Sequence, residues 1–169
     1  PRIYLASRSP RRRELLTQIG VRFELLMFRG IPREDPDVDE AVLPQESPEE
    51  YVVRVTLAKA RAGVRRIRER HLISYPVLAA DTTVEIDGKV IGKPEHETDA
   101  VAILQRLSGR THRVLTAVVI SDGGRAEHLL NISEVCFRPL EQEEIRRYVA
   151  SGEPLDKAGA YGIQGRAAI

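Results

Sequence analysis

The chain has 169 residues, of which 42% are hydrophobic and 30% charged, and its net charge is +1. These values fit one soluble globular domain, predicted over residues 1–169, and they give no overall attraction to nucleic acid. The apolar stretches are too short to span a bilayer and no signal-peptide pattern stands at the start, so we expect a cytoplasmic protein that contacts no membrane.

The first predicted elements are a strand at residues 2–6 and a helix from Pro10 to Gly20, with Ser9 as its N-cap. The first turn of this helix contains Arg11, Arg12 and Arg13. Each cation there is unfavourable by up to about 1 kcal/mol, so an anion should compensate. A phosphate would use the free N–H groups and the arginines together, whereas the alternative is pairing with the protein's own carboxylates.

A second strand is predicted at residues 21–27, followed by an acidic loop at residues 28–45. One carboxylate of the loop could hold magnesium or manganese, although the cluster alone favours a solvated loop. Ser47 and Glu50 form a capping-box pattern that opens a long helix. Lys59 continues the apolar stripe of this helix, where a lysine either extends into solvent, the commoner case, or points into a polar cleft.

The same helix ends in a basic run, formed by Arg61, Arg65, Arg66, Arg68 and Arg70. Only 5% of the residues are aromatic and no stacking motif lies nearby, so the run predicts a solvated helix face. A nucleic-acid-binding surface is the weaker interpretation of these arginines.

A short apolar run at residues 76–80 predicts a buried strand that ends at Asp81. Asp87 and Gly88 then predict a two-residue hairpin turn, which would return Lys93 close to Asp81. From these two charges alone, a structural ion pair and a functional pair are equally good interpretations.

The remaining elements are a helix capped at Thr98–Asp99, two long strands joined by a hairpin at residues 122–124, and a short helix at residues 141–150. Cys136, the only cysteine, lies in an alternating run that predicts a buried strand position. Residues 152–165 contain small residues that permit close backbone approach, either as a loop that wraps a ligand or as a simple connection.

Several motifs occur together in a particular order along nearly the whole chain: residues 7–12, Asp81–Thr82, residues 92–94, residues 107–109 and residues 156–165. Together they resemble the Maf family of nucleotide pyrophosphatases. The resemblance implies an elongated mixed α/β sheet with flanking helices, in two lobes around a central cleft, as in inosine triphosphatases. Family members usually continue with a further strand pair and helix, so the present terminus is either incomplete or a real truncation, which affects stability and a possible homodimer.

The resemblance also implies hydrolysis of a nucleoside triphosphate to the monophosphate and pyrophosphate with a divalent metal, magnesium or manganese. It makes Asp81, Lys59 and Lys93 the catalytic residues and Glu40 and Asp81 the metal ligands. Asp81 would either accept the proton of the attacking water or hold the metal. The implied substrate-binding residues are Ser7, Arg11, Arg12, Thr82 and Gln164.

Arg11, Thr82 and Gln164 resemble the branch of the family that prefers dTTP and UTP. The alternative function is a nucleotide-binding regulatory module that affects cell division without significant catalysis. Release of pyrophosphate distinguishes an enzyme from such a module.

Overall fold

The computed structural model describes residues 2–26 and 38–168, which form a mixed α/β fold. The described strands are β1 (Arg2–Leu5), β2 (Arg22–Leu25), β3 (Val77–Ile86), β4 (Lys89–Ile91), β5 (Thr111–Ser121) and β6 (Ala126–Cys136). They form one six-stranded mixed sheet in the order β2-β1-β3-β5-β6, with β4 paired to β3. The described α-helices are α1 (Pro10–Gln18), α2 (Pro48–Glu69), α3 (Glu97–Leu107) and α4 (Gln142–Ala150). The predicted mixed α/β class is confirmed.

The chain divides into two compact units. The first unit comprises Pro1–Asp81 and Thr116–Asn131, and the second comprises Thr82–Leu115 and Ile132–Ile169. The long strands β3, β5 and β6 contribute residues to both units. The single domain predicted for residues 1–169 stays a prediction. Within the described residues, no helix combines the length and the apolar character needed to cross a membrane.

The core of the first unit forms between α2 and the parallel strands β1 and β3. Tyr4 of β1 is in register with Val77 of β3, and both side chains are buried. A Cβ atom on Gly63 of α2 would lie 2.8 Å from Val77 Cγ1, so the helix backbone lies directly against the strand. The predicted capping box opens α2, because Ser47 Oγ accepts from Glu50 N–H at 3.2 Å and Glu50 Oε2 accepts from Ser47 N–H at 2.9 Å.

The core of the second unit packs α3 and α4 with the hairpin of β3 and β4. Val84 pairs with Ile91 across this hairpin, and the two turn residues, Asp87 and Gly88, have φ of 55° and 74°. These positive angles are those of the tight turn that the Asp-Gly pair predicts.

The prediction that a strand ends at Asp81 is wrong, because β3 continues through it to Ile86. The β-branched Thr82 and Thr83 favour extended backbone beyond the carboxylate. Asp81 also forms an ion pair with Lys59 in the first unit, so its charge does not require the strand to end there. The predicted start of α3 is also displaced: His96, not Thr98 or Asp99, is the N-cap, and its Nδ1 accepts from Asp99 N–H at 3.1 Å.

The burial prediction for Cys136 is wrong, and the solvated face predicted for the basic run is confirmed for four of its five arginines. Cys136 lies in a strand as predicted but is exposed, because β6 is the last strand in the described sheet order and buries few of its side chains. In the basic run, Arg66 is buried at 6% exposure although its four neighbours in the run are exposed. Arg66 lies three and four residues after the buried Gly63 and Ala62, so the helical period places it on the inner stripe of α2.

Candidate functional site

The centre of the candidate site is an ammonium group held between two carboxylates in the first unit. Lys59 Nζ lies 2.8 Å from Glu40 Oε1 and 2.8 Å from Asp81 Oδ2. Glu40 precedes α2, Lys59 lies in α2 and Asp81 in β3, so three separate segments meet here. The Lys59 side chain is only 17% exposed. The prediction that this lysine extends into solvent, which its position on the helix favoured, is therefore wrong.

The electrostatics of the cluster keep Lys59 charged. Burial acts to lower the pKa of the ammonium, but the opposing charges of Asp81 and Glu40 outweigh it, and the pKa is raised above its ordinary value. The three groups therefore form a partly buried cluster in which one ammonium lies between two carboxyl groups.

Two residues that the sequence analysis did not single out hold Glu40 in place. Arg54 donates to the backbone oxygens on either side of it, of Asp39 at 3.1 Å and of Ala41 at 2.7 Å. Tyr51 donates its hydroxyl hydrogen to Glu40 O at 3.0 Å. Burial foremost, and then the charges of Asp81 and Glu40, raise the pKa of Tyr51. Tyr51 precedes Lys59 by eight residues, and this two-turn spacing on one helix face was the available signal.

The first turn of α1 presents a second group of polar atoms in the same unit. Ser7 Oγ accepts from Arg12 Nη1 at 3.0 Å and from Ser9 N–H at 3.2 Å. Burial lowers the pKa of Arg12, and the charge of Asp81 acts in the opposite direction, so this guanidinium feels the Asp81 carboxylate. The side-chain bond of Arg12 within the described residues goes to a hydroxyl rather than a carboxylate. Arg11 is exposed in this turn, where the sequence supplies no acidic residue.

Three predicted site residues belong to the second unit. Thr82 follows Asp81 in β3, and strand alternation directs the two side chains to opposite faces. Lys93 is exposed just after β4, and Gln164 is exposed in a turn of the glycine-rich segment. The expected approach of Lys93 to Asp81 stays a prediction, as do the roles of all the residues in the predicted site.

The glycine-rich segment packs tightly within the second unit. Gly159 N–H donates to Gly92 O at 3.1 Å, which joins this segment to the residue before Lys93. Gly159 has a φ of 73°, and a Cβ atom there would lie 2.6 Å from Val84 Cγ2. The close backbone approach predicted from the small residues is therefore confirmed, whereas wrapping of a ligand stays a prediction.

A family model described as "Maf-like protein" matches residues 2–169. The chain belongs to the Maf family. It is 65% identical to a protein of Aromatoleum aromaticum named dTTP/UTP pyrophosphatase, over 99% of this chain and 82% of that protein. A Dechloromonas aromatica protein of the same name is 59% identical, over 99% and 84% of the two chains. Among solved structures, the Staphylococcus aureus Ham1 protein aligns with a TM-score of 0.49 and 16% identity, over 80% of this chain and 71% of that one.

For this Maf family chain, the donor set of the cluster fits the metal that the family resemblance implies. Mg²⁺ commonly uses one or two protein carboxylates, with water and substrate phosphates as its other ligands. Glu40 and Asp81 supply two such carboxylates, and because the Lys59 ammonium lies between them, a metal held by both would bind beside the ammonium and not at its position. The described residues contain no group of three or more histidine, cysteine or acidic side chains arranged for a metal. The set therefore fits magnesium or manganese shared with a phosphate ligand, and does not fit an all-protein metal cage.

Proposed function

We propose that this chain hydrolyses nucleoside triphosphates, dTTP and UTP foremost, to the nucleoside monophosphate and pyrophosphate. The observation that supports it most is the Glu40, Lys59 and Asp81 cluster in the same unit as the arginine-rich start of α1. Close relatives with high coverage carry the name dTTP/UTP pyrophosphatase, which agrees with this chemistry.

Binding of the triphosphate falls to the cationic groups. The N–H groups at the start of α1 and the guanidinium groups of Arg11 and Arg12 would bind phosphate oxygens, with Ser7 fixing the orientation of Arg12. This assignment explains why a helix N-terminus carries arginines instead of the usual acidic residues. Lys93 would add a further positive charge, as the family resemblance implies.

The reaction itself is a displacement at the α-phosphorus. The water oxygen forms a bond to this phosphorus, the bond from phosphorus to the α,β-bridging oxygen breaks, and its electron pair leaves with pyrophosphate. Asp81 orients the water and accepts its proton, which then passes to solvent. Lys59 holds the Asp81 carboxylate in place and stabilises negative charge that develops on the phosphate oxygens. When bound, a divalent cation held by Glu40 would neutralise phosphate charge, and Asp81 would be its second ligand in the alternative in which Asp81 does not accept the proton.

Recognition of the base is assigned to Gln164. Its amide has one acceptor and two donors, which can meet the N3–H and O4 groups of uracil or thymine. The flipped amide could meet cytosine instead, so we expect CTP to be the poorer substrate only because the backbone of residues 159–165 fixes the orientation of the amide. We propose that the reaction takes place in the cytoplasm. The possible homodimer stays a prediction.

The test is product analysis with purified protein, a divalent metal salt and a panel of dTTP, UTP, CTP and purine triphosphates. We expect stoichiometric monophosphate and pyrophosphate, and the highest kcat/KM for dTTP and UTP. Hydrolysis in ¹⁸O-labelled water should place the label in the monophosphate, because attack occurs at the α-phosphorus.

Label in pyrophosphate would contradict the proposed site of attack. Saturable nucleotide binding without any product would contradict catalysis and favour a binding module. Added chelator should stop turnover, whereas full activity in excess chelator would remove the metal from the proposal.

A further inference from the structure

The turn that carries Gln164 is held by two side chains that lie outside the turn. Gly162 N–H donates to Tyr148 Oη at 3.3 Å on one side of Gln164. Arg166 N–H donates to Glu153 Oε2 at 3.4 Å on the other side. Both bonds are long, and together they bracket the residue to which base recognition is assigned.

The two side chains are joined to each other. Tyr148 donates its hydroxyl hydrogen to Glu153 Oε1 at 3.0 Å, so one hydroxyl accepts from the turn and donates to the carboxylate. Tyr148 lies in α4 between the buried Ile145 and the adjacent buried Val149, which fix the helix in the core. Burial raises the pKa of Tyr148 to about 12, so the hydroxyl keeps its hydrogen at neutral pH.

The backbone of the turn also lies directly against the Glu153 side chain. A Cβ atom on Gly165 would overlap the Glu153 carboxylate, which would have to shift to accommodate it. On the other side, a Cβ atom on Gly162 would be 2.9 Å from Lys157 Cε, and Lys157 Nζ donates to Glu153 O at 2.9 Å. Glu153 is therefore surrounded by the backbone of the turn and by Lys157.

We infer that Tyr148 and Glu153 are positioning residues that fix the Gln164 turn and thereby set the preference for a uracil or thymine edge over a cytosine edge. The inference rests on the proposed function, because it assigns a task to residues that act through Gln164.

The physical reason lies in the symmetry of a glutamine amide. One orientation presents the groups that complement uracil and thymine, and the flipped orientation complements cytosine. An amide on a freely moving turn can adopt either orientation at little cost. A turn held on both sides fixes the direction in which the Gln164 side chain leaves the backbone, and so restricts the rotamers from which the flipped amide would reach a cytosine edge.

The test compares kcat/KM for dTTP and CTP in the wild type and in Tyr148→Phe, measured on the same preparation of each. The ratio of the two constants is independent of the folded fraction, so it reports selectivity even if the variant is less stable. Loss of the hydroxyl should lower the dTTP to CTP ratio by about three- to tenfold, mainly through an increase in the CTP constant, because the restriction that disfavours the cytosine orientation is removed. Glu153→Gln is the second variant and should act in the same direction.

Matched controls are Tyr75→Phe, a half-buried tyrosine of the first unit, and Glu143→Gln, an exposed residue of α4. Both should keep the wild-type ratio. In a Gln164→Ala background, Tyr148→Phe should change the ratio no further, because the residue through which it acts is gone.

An unchanged ratio in Tyr148→Phe and Glu153→Gln, with a selective wild type, would overturn this inference and leave the proposed function standing. A further change in the Gln164→Ala background would also overturn it, because the effect would then not pass through Gln164. A wild type that releases no pyrophosphate would instead refute the proposed function itself.

Discussion

The charge cluster of the first unit and the glycine-rich segment of the second unit are held in place by different forces. In the first, Glu40, Lys59 and Asp81 extend from separate segments and are fixed by opposite charges. In the second, the backbone lies directly against neighbouring side chains, Val84 at Gly159 and the Glu153 carboxylate at Gly165. The first arrangement should therefore be sensitive to changes of charge at constant shape, and the second to changes of volume at constant charge.

The largest expected effect is on the charge cluster. Asp81→Asn keeps the shape of the side chain and removes its negative charge and its ability to accept a proton. We expect kcat for dTTP to fall by about 10²- to 10⁴-fold, while nucleotide binding remains measurable by calorimetry.

Asp122→Asn is the matched control, because Asp122 lies in an exposed turn and its Oδ1 acceptor, which binds Gly124 N–H at 2.9 Å, is kept by asparagine. Its kcat should equal that of the wild type. Wild-type turnover in Asp81→Asn would remove Asp81 from the chemistry.

A smaller effect is expected when the cation of the cluster is replaced. Lys59→Met retains an unbranched side chain and leaves Glu40 and Asp81 without their shared ammonium. We expect kcat/KM for dTTP to fall about 10- to 100-fold, since both charge stabilisation and the orientation of Asp81 are lost. Lys89→Met, at an exposed position of β4, is the control. Equal constants in the two variants would show that the ion pairs of Lys59 are only structural.

The prediction for the second unit concerns volume. Gly159→Ala and Gly152→Ala both place an alanine at positive φ, 73° and 76°, but only the first meets a neighbour, Val84 Cγ2 at 2.6 Å. The strain of the positive φ should destabilise both variants by about 1–2 kcal/mol. The clash should add about 1–3 kcal/mol for Gly159→Ala alone. Urea unfolding of the pair measures the difference, and equal losses would show that the segment can move away from β3.

The features that the sequence predicted correctly depend on nearby residues. The capping box of Ser47 and Glu50 and the Asp87–Gly88 turn are set by contacts within a few positions. The continuation of β3 through Asp81 could not be predicted in this way, because the lysine that meets its charge is 22 residues earlier in the chain. The exposure of Cys136 likewise depends on which strand ends the described sheet, which alternation within β6 does not reveal.

The same difference between local and distant contacts applies to the residues of the candidate site. The arginines of α1 were recognisable because a cation at a helix start is locally unfavourable. Arg54 gave no local signal, and Tyr51 gave only its spacing from Lys59, since the role of both appears only when the segment around Glu40 folds back onto α2.

The smallest expected effect is a pH dependence in the second unit, at a buried histidine close to the glycine-rich segment. His112 is 2% exposed, its Nε2 lies 2.6 Å from Tyr161 Oη, and its ring packs edge-on against Phe137. Burial lowers the pKa of His112, and the charge of Glu85 opposes this shift. The folded state therefore keeps the ring neutral at pH values where the unfolded chain, with an ordinary pKa of about 6.5, already binds a proton. Since the unfolded state then holds more protons, stability should fall as the pH drops below about 6.5, by at most about 1.4 kcal/mol per pH unit from this group.

Thermal unfolding between pH 5 and 7.5 should show a steeper loss of Tm in the wild type than in His112→Gln. His128→Gln, an exposed histidine of β6, should keep the wild-type slope. Identical slopes in all three proteins would mean that His112 binds a proton equally well in the folded and unfolded chain, and its contact with Tyr161 would then have to tolerate the charge.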